Sequence, residues 1–227
     1  MRAASVSGSA SRFAVLASGT GSNLQALLDA IDAGTLDARI VGVFSDKPGA
    51  RALQRVPESL RWSRAPKAFP SREAFDAELA DAIAATAPDW VICAGYMRIL
   101  GESFVERFRG RLLNIHPSLL PKYRGLHTHA RALEAGDAEH GASVHFVIPE
   151  LDAGAVIAQA PVPVLPGDSV DDLSQRVLHV EHPLLVHVAA LAADGRLSEH
   201  DGIANVDGHP MFTPQRLEFA PAWPPLA

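Results

Sequence analysis

Two rhythms of apolar residues run along the chain. Residues 12–19 (RFAVLASG) form a continuous apolar run that ends at glycine, the pattern of a buried strand. Leu24, Leu27, Leu28 and Ile31 then recur at helical spacing, which predicts a helix over 22–34 closed by Gly34. A second apolar strand follows at 38–46 (ARIVGVFSD). Residues 71–87 return to the helical period, with Ser71 as N-cap and Ala74, Phe75, Leu79 and Ile83 on one face. The runs DWVICAG and RLLNIHP predict further strands, and HARALEAG a short helix ending at Gly136. ASVHFVI and AVIAQAPVPV are strands joined by a short loop, which suits an antiparallel pair. The pattern over 169–195 predicts one long helix with Pro183 as a kink point. The stretch 47–70 is rich in Arg, Lys and Pro and carries only a weak helix and a short strand.

Strand and helix alternate through the first half, which predicts an α/β fold with a doubly wound sheet and helices on both faces. The antiparallel pair makes the sheet mixed but mostly parallel. The expected division is a disordered leader at 1–11, one domain at 12–200 and a tail at 201–227, whose proline-rich end FTPQRLEFAPAWPPLA also looks disordered.

Composition narrows the function. The chain is 48% hydrophobic and 20% charged, as packed proteins are. Its formal net charge of -6 argues against a nucleic-acid surface, while leaving room for a local cationic pocket. No apolar run approaches a membrane span. The start lacks the apolar segment of a signal peptide. One cysteine, Cys93, excludes an internal disulfide and sits as a core filler. The expected location is cytoplasmic.

Four features carry chemistry. SGTGSNLQ (18–25) is a glycine-rich turn between a strand and a helix, where free amides and the helix dipole suit a phosphate. It lacks the third glycine of a dinucleotide fingerprint and the Gly-Lys-Ser/Thr of a Walker A loop. It is equally readable as a tight turn capped by Ser22 or Asn23. Asn114 and His116 alternate with Leu113 and Ile115, so they share one face at a strand's carboxyl end, where ligands collect in open α/β sheets. An amide can donate to an oxyanion and an imidazole can exchange a proton near neutral pH; the two residues alone read as well as a solvent-facing histidine beside an asparagine bonded to backbone. Asp152 lies in the loop PELDAGAVI; it can serve that imidazole or simply form a turn. His145, inside an apolar strand, can orient Asp152 or be a satisfied core histidine. The pair His127 and His129, with His116, His140 and His145 nearby in sequence, lacks a clear third ligand at a known metal spacing, so no metal is expected.

Taken together, LASGTGSNLQALLDA, SREAFD, AGYMRIL, GRLLNIHPSLLPKYRGLHTHARALEAGDAEHGASVHFV, ELDAGAVIAQAPV and VEHPLL resemble, in order, the phosphoribosylglycinamide formyltransferases, a folate-dependent purine family. The resemblance covers about residues 12 to 198. It implies a formyltransferase-like variant of the Rossmann fold and two substrates, glycinamide ribonucleotide and 10-formyltetrahydrofolate as formyl donor. It implies catalysis by Asn114, His116 and Asp152. It also implies nucleotide binding by Gly21, Ser22, Asn23 and Glu181, and a folate site lined by Arg72, Met97, Arg98, Ile99, Leu100 and Asn114. By chemistry alone, Met97, Ile99 and Leu100 pass as core and Arg72 as a solvated first-turn arginine.

Three positions depart from the family pattern. Ala153 stands where the family commonly has glycine, which requires φ below zero there; Arg124 replaces a proline, and Tyr96 a phenylalanine. Alternatives within the formyl-folate enzymes are methionyl-tRNA formyltransferase and formyltetrahydrofolate hydrolase; outside them stands a non-catalytic nucleotide-binding module. The expected partners are the two small substrates, with no nucleic acid and no membrane, in a monomer or homodimer.

Overall fold

The computed structural model describes residues 9–220. Its main sheet begins with β1 (Ser11–Leu16), β2 (Ala38–Ser45), β3 (Arg61–Ser63), β4 (Trp90–Cys93) and β5 (Leu112–His116). It continues with β6 (Glu139–Phe146) and β7 (Val156–Pro163). The helices are α1 (Ser22–Asp32), α2 (Arg72–Ala85), α3 (Glu102–Arg107), α4 (Thr128–Glu134) and α5 (Val170–Ala193). A second small sheet holds β8 (Leu197–His200), β9 (Ile203–Val206) and β10 (His209–Pro210), after which β11 (Gln215–Arg216) rejoins the first.

The eight-stranded sheet runs β11-β7-β6-β5-β4-β1-β2-β3. Strands β3, β2, β1, β4 and β5 are parallel, and β6 pairs antiparallel with both β5 and β7. The mixed, doubly wound sheet expected from the sequence is therefore present. The chain leaves β1 towards β2 and β3, then returns to the other side of β1 as β4. That reversal opens a crevice beyond the carboxyl ends of β1 and β4.

Strand parity decides what each helix covers. Phe13 and Val15 of β1 pack with Leu24 and Leu27 of α1 and with Leu184 and Val188 of α5. Ala14 and Leu16 face the opposite side, against Phe75 and Leu79 of α2 and Phe104 of α3. Helices thus bury both faces, as the sheet's apolar strands demand. Helix α5 continues through Pro183, and Ser169 caps it in a reciprocal box with Asp172.

Some expectations are corrected. The stretch 47–70 folds into three 3₁₀ turns, Arg51–Arg55, Glu58–Leu60 and Pro66–Ala68, around the short strand β3. No helical period announced α3. Part of the proline-rich end is ordered: β11 pairs parallel with β7, Gln215 beside Ala158. The rest of that end, 221–227, and the leader up to residue 8 lie outside the described residues.

Candidate active site

Strand β5 positions the first two polar groups. Leu112 faces the α2–α3 layer, while Leu113 and Ile115 enter the other core. By parity Asn114 and His116 continue the face of Leu112. Antiparallel pairing then sets Asn114 opposite His145 of β6 and His116 opposite Ser143.

The connection between β6 and β7 starts at the opposite end of β5, where the Val147 amide donates to the Leu112 carbonyl at 2.9 Å. It doubles back over the face that carries Asn114 and His116. Asp152 turns the loop with φ of 48°, and Ala153 is not among the residues with positive φ, as the missing glycine requires. Gly154 hugs β6 so closely that a Cβ there would lie 1.9 Å from the Phe146 carbonyl oxygen. The result places Asp152 Oδ2 3.4 Å from His116 Nδ1 and Oδ1 3.6 Å from His145 Nε2.

Hydrogen bonds define each group's role. His145 Nδ1 lies 2.7 Å from the Phe146 carbonyl, which can only accept, so Nδ1 carries the proton. Burial pushes this imidazole down to about 4, so at neutral pH Nε2 is a lone pair. It accepts from Asn114 Nδ2 at 3.1 Å. His145 thereby orients Asn114 more directly than Asp152, and one amide hydrogen of Asn114 remains for another acceptor. His116 Nε2 donates to the Tyr123 carbonyl at 3.0 Å, and the Gly125 amide donates to Asp152 Oδ2 at 2.9 Å. The turn at 123–125 therefore touches both the imidazole and the carboxylate. Sequence reading missed it, because the contacts are made by backbone; the glycine in YRGL was the available signal. Arg124, at the proline position, pairs with Glu150 at 2.7 Å and ties this turn to the Asp152 loop.

These groups form one wall of a cavity of about 690 Å³. Gly21, Ser22, Asn23 and Glu181 line another part. Gly21 is the N-cap of α1, left-handed at φ 75°, and no side chain caps the helix. The capping reading of Ser22 or Asn23 is thus corrected, and the first-turn amides have no side-chain cap. Asn23 Nδ2 donates instead to Glu181 Oε2 at 2.8 Å, and its own Oδ1 is buried without a partner among the described residues. Burial raises the Glu181 carboxyl, partly offset by that bond.

The loop after β4 supplies the remaining wall. Met97, Arg98, Ile99 and Leu100 line the cavity, with Met97 64% and Ile99 54% exposed, so these two are not core. Leu126 and Leu151, unremarked in the sequence, add apolar surface at 67% and 44% exposure. Arg72 does not line the cavity. It donates from Nη2 to the Ile99 carbonyl at 2.8 Å and lies 3.6 Å from Asp76, so it braces this loop from behind. Asp76 completes the brace by accepting from the Gly101 amide at 2.9 Å. His129 and His140 bond to each other at 3.1 Å, and among the described residues no group of three His, Cys, Asp or Glu side chains is arranged to hold a metal ion. No helix among the described residues is long and apolar enough to cross a membrane.

Residues 11–189 match the family model described as formyl transferase, which sets the class. Phosphoribosylglycinamide formyltransferase of Escherichia coli is 53% identical over 196 residues, 86% of this chain and 92% of that protein. The structure of the enzyme of that name from Coxiella burnetii superimposes with a TM-score of 0.85 at 41% identity, covering 91% of this chain and 98% of that one. Glycinamide ribonucleotide transformylase 1 of Symbiobacterium toebii gives 0.84 at 42% identity, over 88% and 95% of the two chains. The chain belongs to the formyl transferase family, among its phosphoribosylglycinamide formyltransferases.

Proposed function

We propose that this chain transfers the formyl group of 10-formyltetrahydrofolate to the amine of glycinamide ribonucleotide, a step of purine biosynthesis. The observation that carries the reading is the meeting of Asn114, His116 and Asp152 on one wall of a cavity with an uncapped helix start and an apolar mouth. The helix start suits a phosphate, and Glu181 with Asn23 suits the hydroxyl-bearing ribose. Met97, Ile99 and Leu100 give a flat pterin its apolar walls, and neighbouring backbone groups its hydrogen bonds.

The chemistry follows from those positions. The neutral amine attacks the formyl carbon; a C–N bond forms and the carbonyl electrons move onto oxygen. Asn114 donates its second amide hydrogen to that oxyanion, while protonated His116 supplies positive charge beside it. Asp152 holds the imidazole from Nδ1. The tetrahedral carbon then expels the folate nitrogen. The amine proton is lost and the leaving nitrogen gains one, with His116 or an ordered water as carrier. Bringing the two substrates together contributes up to ~7–11 kcal/mol in favourable cases. No enzyme nucleophile takes part. A cytoplasmic setting belongs to the same reading, in keeping with a single buried reduced cysteine.

The test is an assay with both substrates, comparing wild type with His116→Ala and Asp152→Asn. Absence of transfer by wild type overturns the reaction. An Asp152→Asn enzyme with unchanged rate and pH profile overturns the role given to the carboxylate.

A further inference from the structure

The basic stretch 47–67, which the proposed reaction leaves unused, folds against the glycine-rich loop. It carries Lys47, Arg51, Arg55, Arg61, Arg64 and Lys67 against the single carboxylate of Glu58, in a chain whose net charge is -6. The contact with the loop is made by the 3₁₀ turn Arg51–Arg55. The Ala52 amide donates to the Gly19 carbonyl at 3.1 Å, and Arg55 Nε donates to the Thr20 carbonyl at 2.9 Å. Arg55 Nη1 also donates to Gln25 Oε1 at 2.6 Å, and Gln25 Nε2 donates to Asp29 at 2.8 Å, which fixes the guanidinium along the flank of α1.

Two consecutive loop carbonyls are therefore held by one neighbouring turn. In a trans peptide the N–H points opposite to the C=O of the same unit. Fastening the Gly19 and Thr20 carbonyls towards 51–55 turns the amides of Thr20 and Gly21 the other way. Gly19, Thr20 and Gly21 all line the cavity, next to the uncapped amides of Ser22 and Asn23. Successive amides turned to one side make an anion-binding nest. The fit is close: a Cβ on Gly21 would lie 2.7 Å from Ala52 Cα and 3.1 Å from Arg55 Nε. Arg55 does not itself line the cavity, so it acts on an anion there through the loop carbonyl that it holds.

We infer that Arg55 is a positioning residue for the phosphate end of the nucleotide substrate. It holds the Thr20 carbonyl away from the phosphate and aims the loop's amides at it. The inference rests on the reading of the reaction given above and assigns a further residue to its nucleotide subsite.

The experiment measures kcat and KM of wild type, Arg55→Ala and Arg55→Lys with glycinamide ribonucleotide and with its 5′-dephosphorylated form, inhibition by inorganic phosphate, and direct binding of inorganic phosphate by titration calorimetry. Arg55→Ala is expected to raise KM for the phosphorylated substrate about tenfold or more, with kcat within about twofold, since uniform binding is lost. KM for the dephosphorylated form stays unchanged, and inorganic phosphate competes correspondingly less well. Arg55→Lys restores charge but not the double hold, so its KM stays raised. Wild type without transferase activity overturns the underlying reaction, and phosphate binding then still reports on Arg55. An active wild type with the same KM ratio between the two substrates in Arg55→Ala overturns the inference. Full recovery by lysine does so as well, because charge alone then suffices. Should the alanine variant not fold, the lysine variant carries the same comparison.

Discussion

His116 and Asp152 stand with Nδ1 3.4 Å from Oδ2, although one ends a strand and the other rides a loop that leaves from that strand's opposite end. The pair exists because the loop folds back over the sheet. In the proposed reaction the two act through one contact, so their removal is expected to be non-additive. Asp152→Asn keeps shape and loses charge; it should lower kcat by about 10²–10³-fold, the usual effect of disabling one electrostatic stabiliser. His116→Ala should cost a similar factor, and the double variant little more than either single one. Initial rates of the three variants check this. Losses that multiply would show that the two side chains work independently.

The loop itself offers a contrast between neighbouring residues. Gly154→Ala would place a methyl 1.9 Å from the Phe146 carbonyl oxygen, which is backbone and cannot step aside. The loop must move, carrying Asp152 with it, so activity should fall well before the melting temperature does. Ala153→Gly, which restores the residue common in the family, should do the reverse. The left-handed turn falls on Asp152, so glycine at 153 relieves no strain. It only loosens the unfolded chain, lowering stability by about 0.4–1 kcal/mol. Paired thermal melts and rate measurements separate the two outcomes.

Periodicity revealed the elements that bury a long apolar face. Phe13 and Val15 against Ala14 and Leu16 already define a two-faced strand, and the spacing of Leu24, Leu27 and Leu28 a helix. The parity of Asn114 and His116 was legible for the same reason. Asp152 was not legible from pattern, because a loop's return path leaves no period; the family resemblance supplied it. Short elements were lost likewise. β10 and β11 have two residues each and α3 has six, too few to complete a pattern. The hold of Arg55 on Thr20 is a side chain meeting a backbone carbonyl, which residue identities do not reveal.

Cys93 lines the cavity yet is only 4% exposed, and burial, aided by the Asp152 charge, pushes its thiol up to about 12. The thiolate is the reactive form, so it is scarce at any ordinary pH. The native protein should resist alkylation by iodoacetamide at pH 8, while denaturant exposes one reactive thiol. Intact mass before and after treatment measures this. Rapid labelling of the folded protein would place the thiol within reach of solvent.

Acid should destabilise the fold through its histidines. Burial pushes His140 and His145 down to about 4 and lowers His129 and His182 as well, from an ordinary value of 6.5. These groups are neutral in the folded chain over a range where the unfolded chain protonates them. Between about pH 6.5 and 4 the unfolded state binds more protons, so stability rises with pH across that window and is lost as pH falls through it. Glu181 acts in the opposite sense: its raised folded value means that ionising it on unfolding releases a proton. One carboxyl against four imidazoles leaves a net uptake. Thermal melts from pH 7 to 4.5 should show a falling midpoint. Calorimetry in buffers of different ionisation enthalpy should show proton uptake on unfolding near pH 5. A midpoint independent of pH, or net proton release there, would mean that these imidazoles are already charged in the folded protein. The lone pair assigned to His145 Nε2, and with it the orientation of Asn114, would then be wrong.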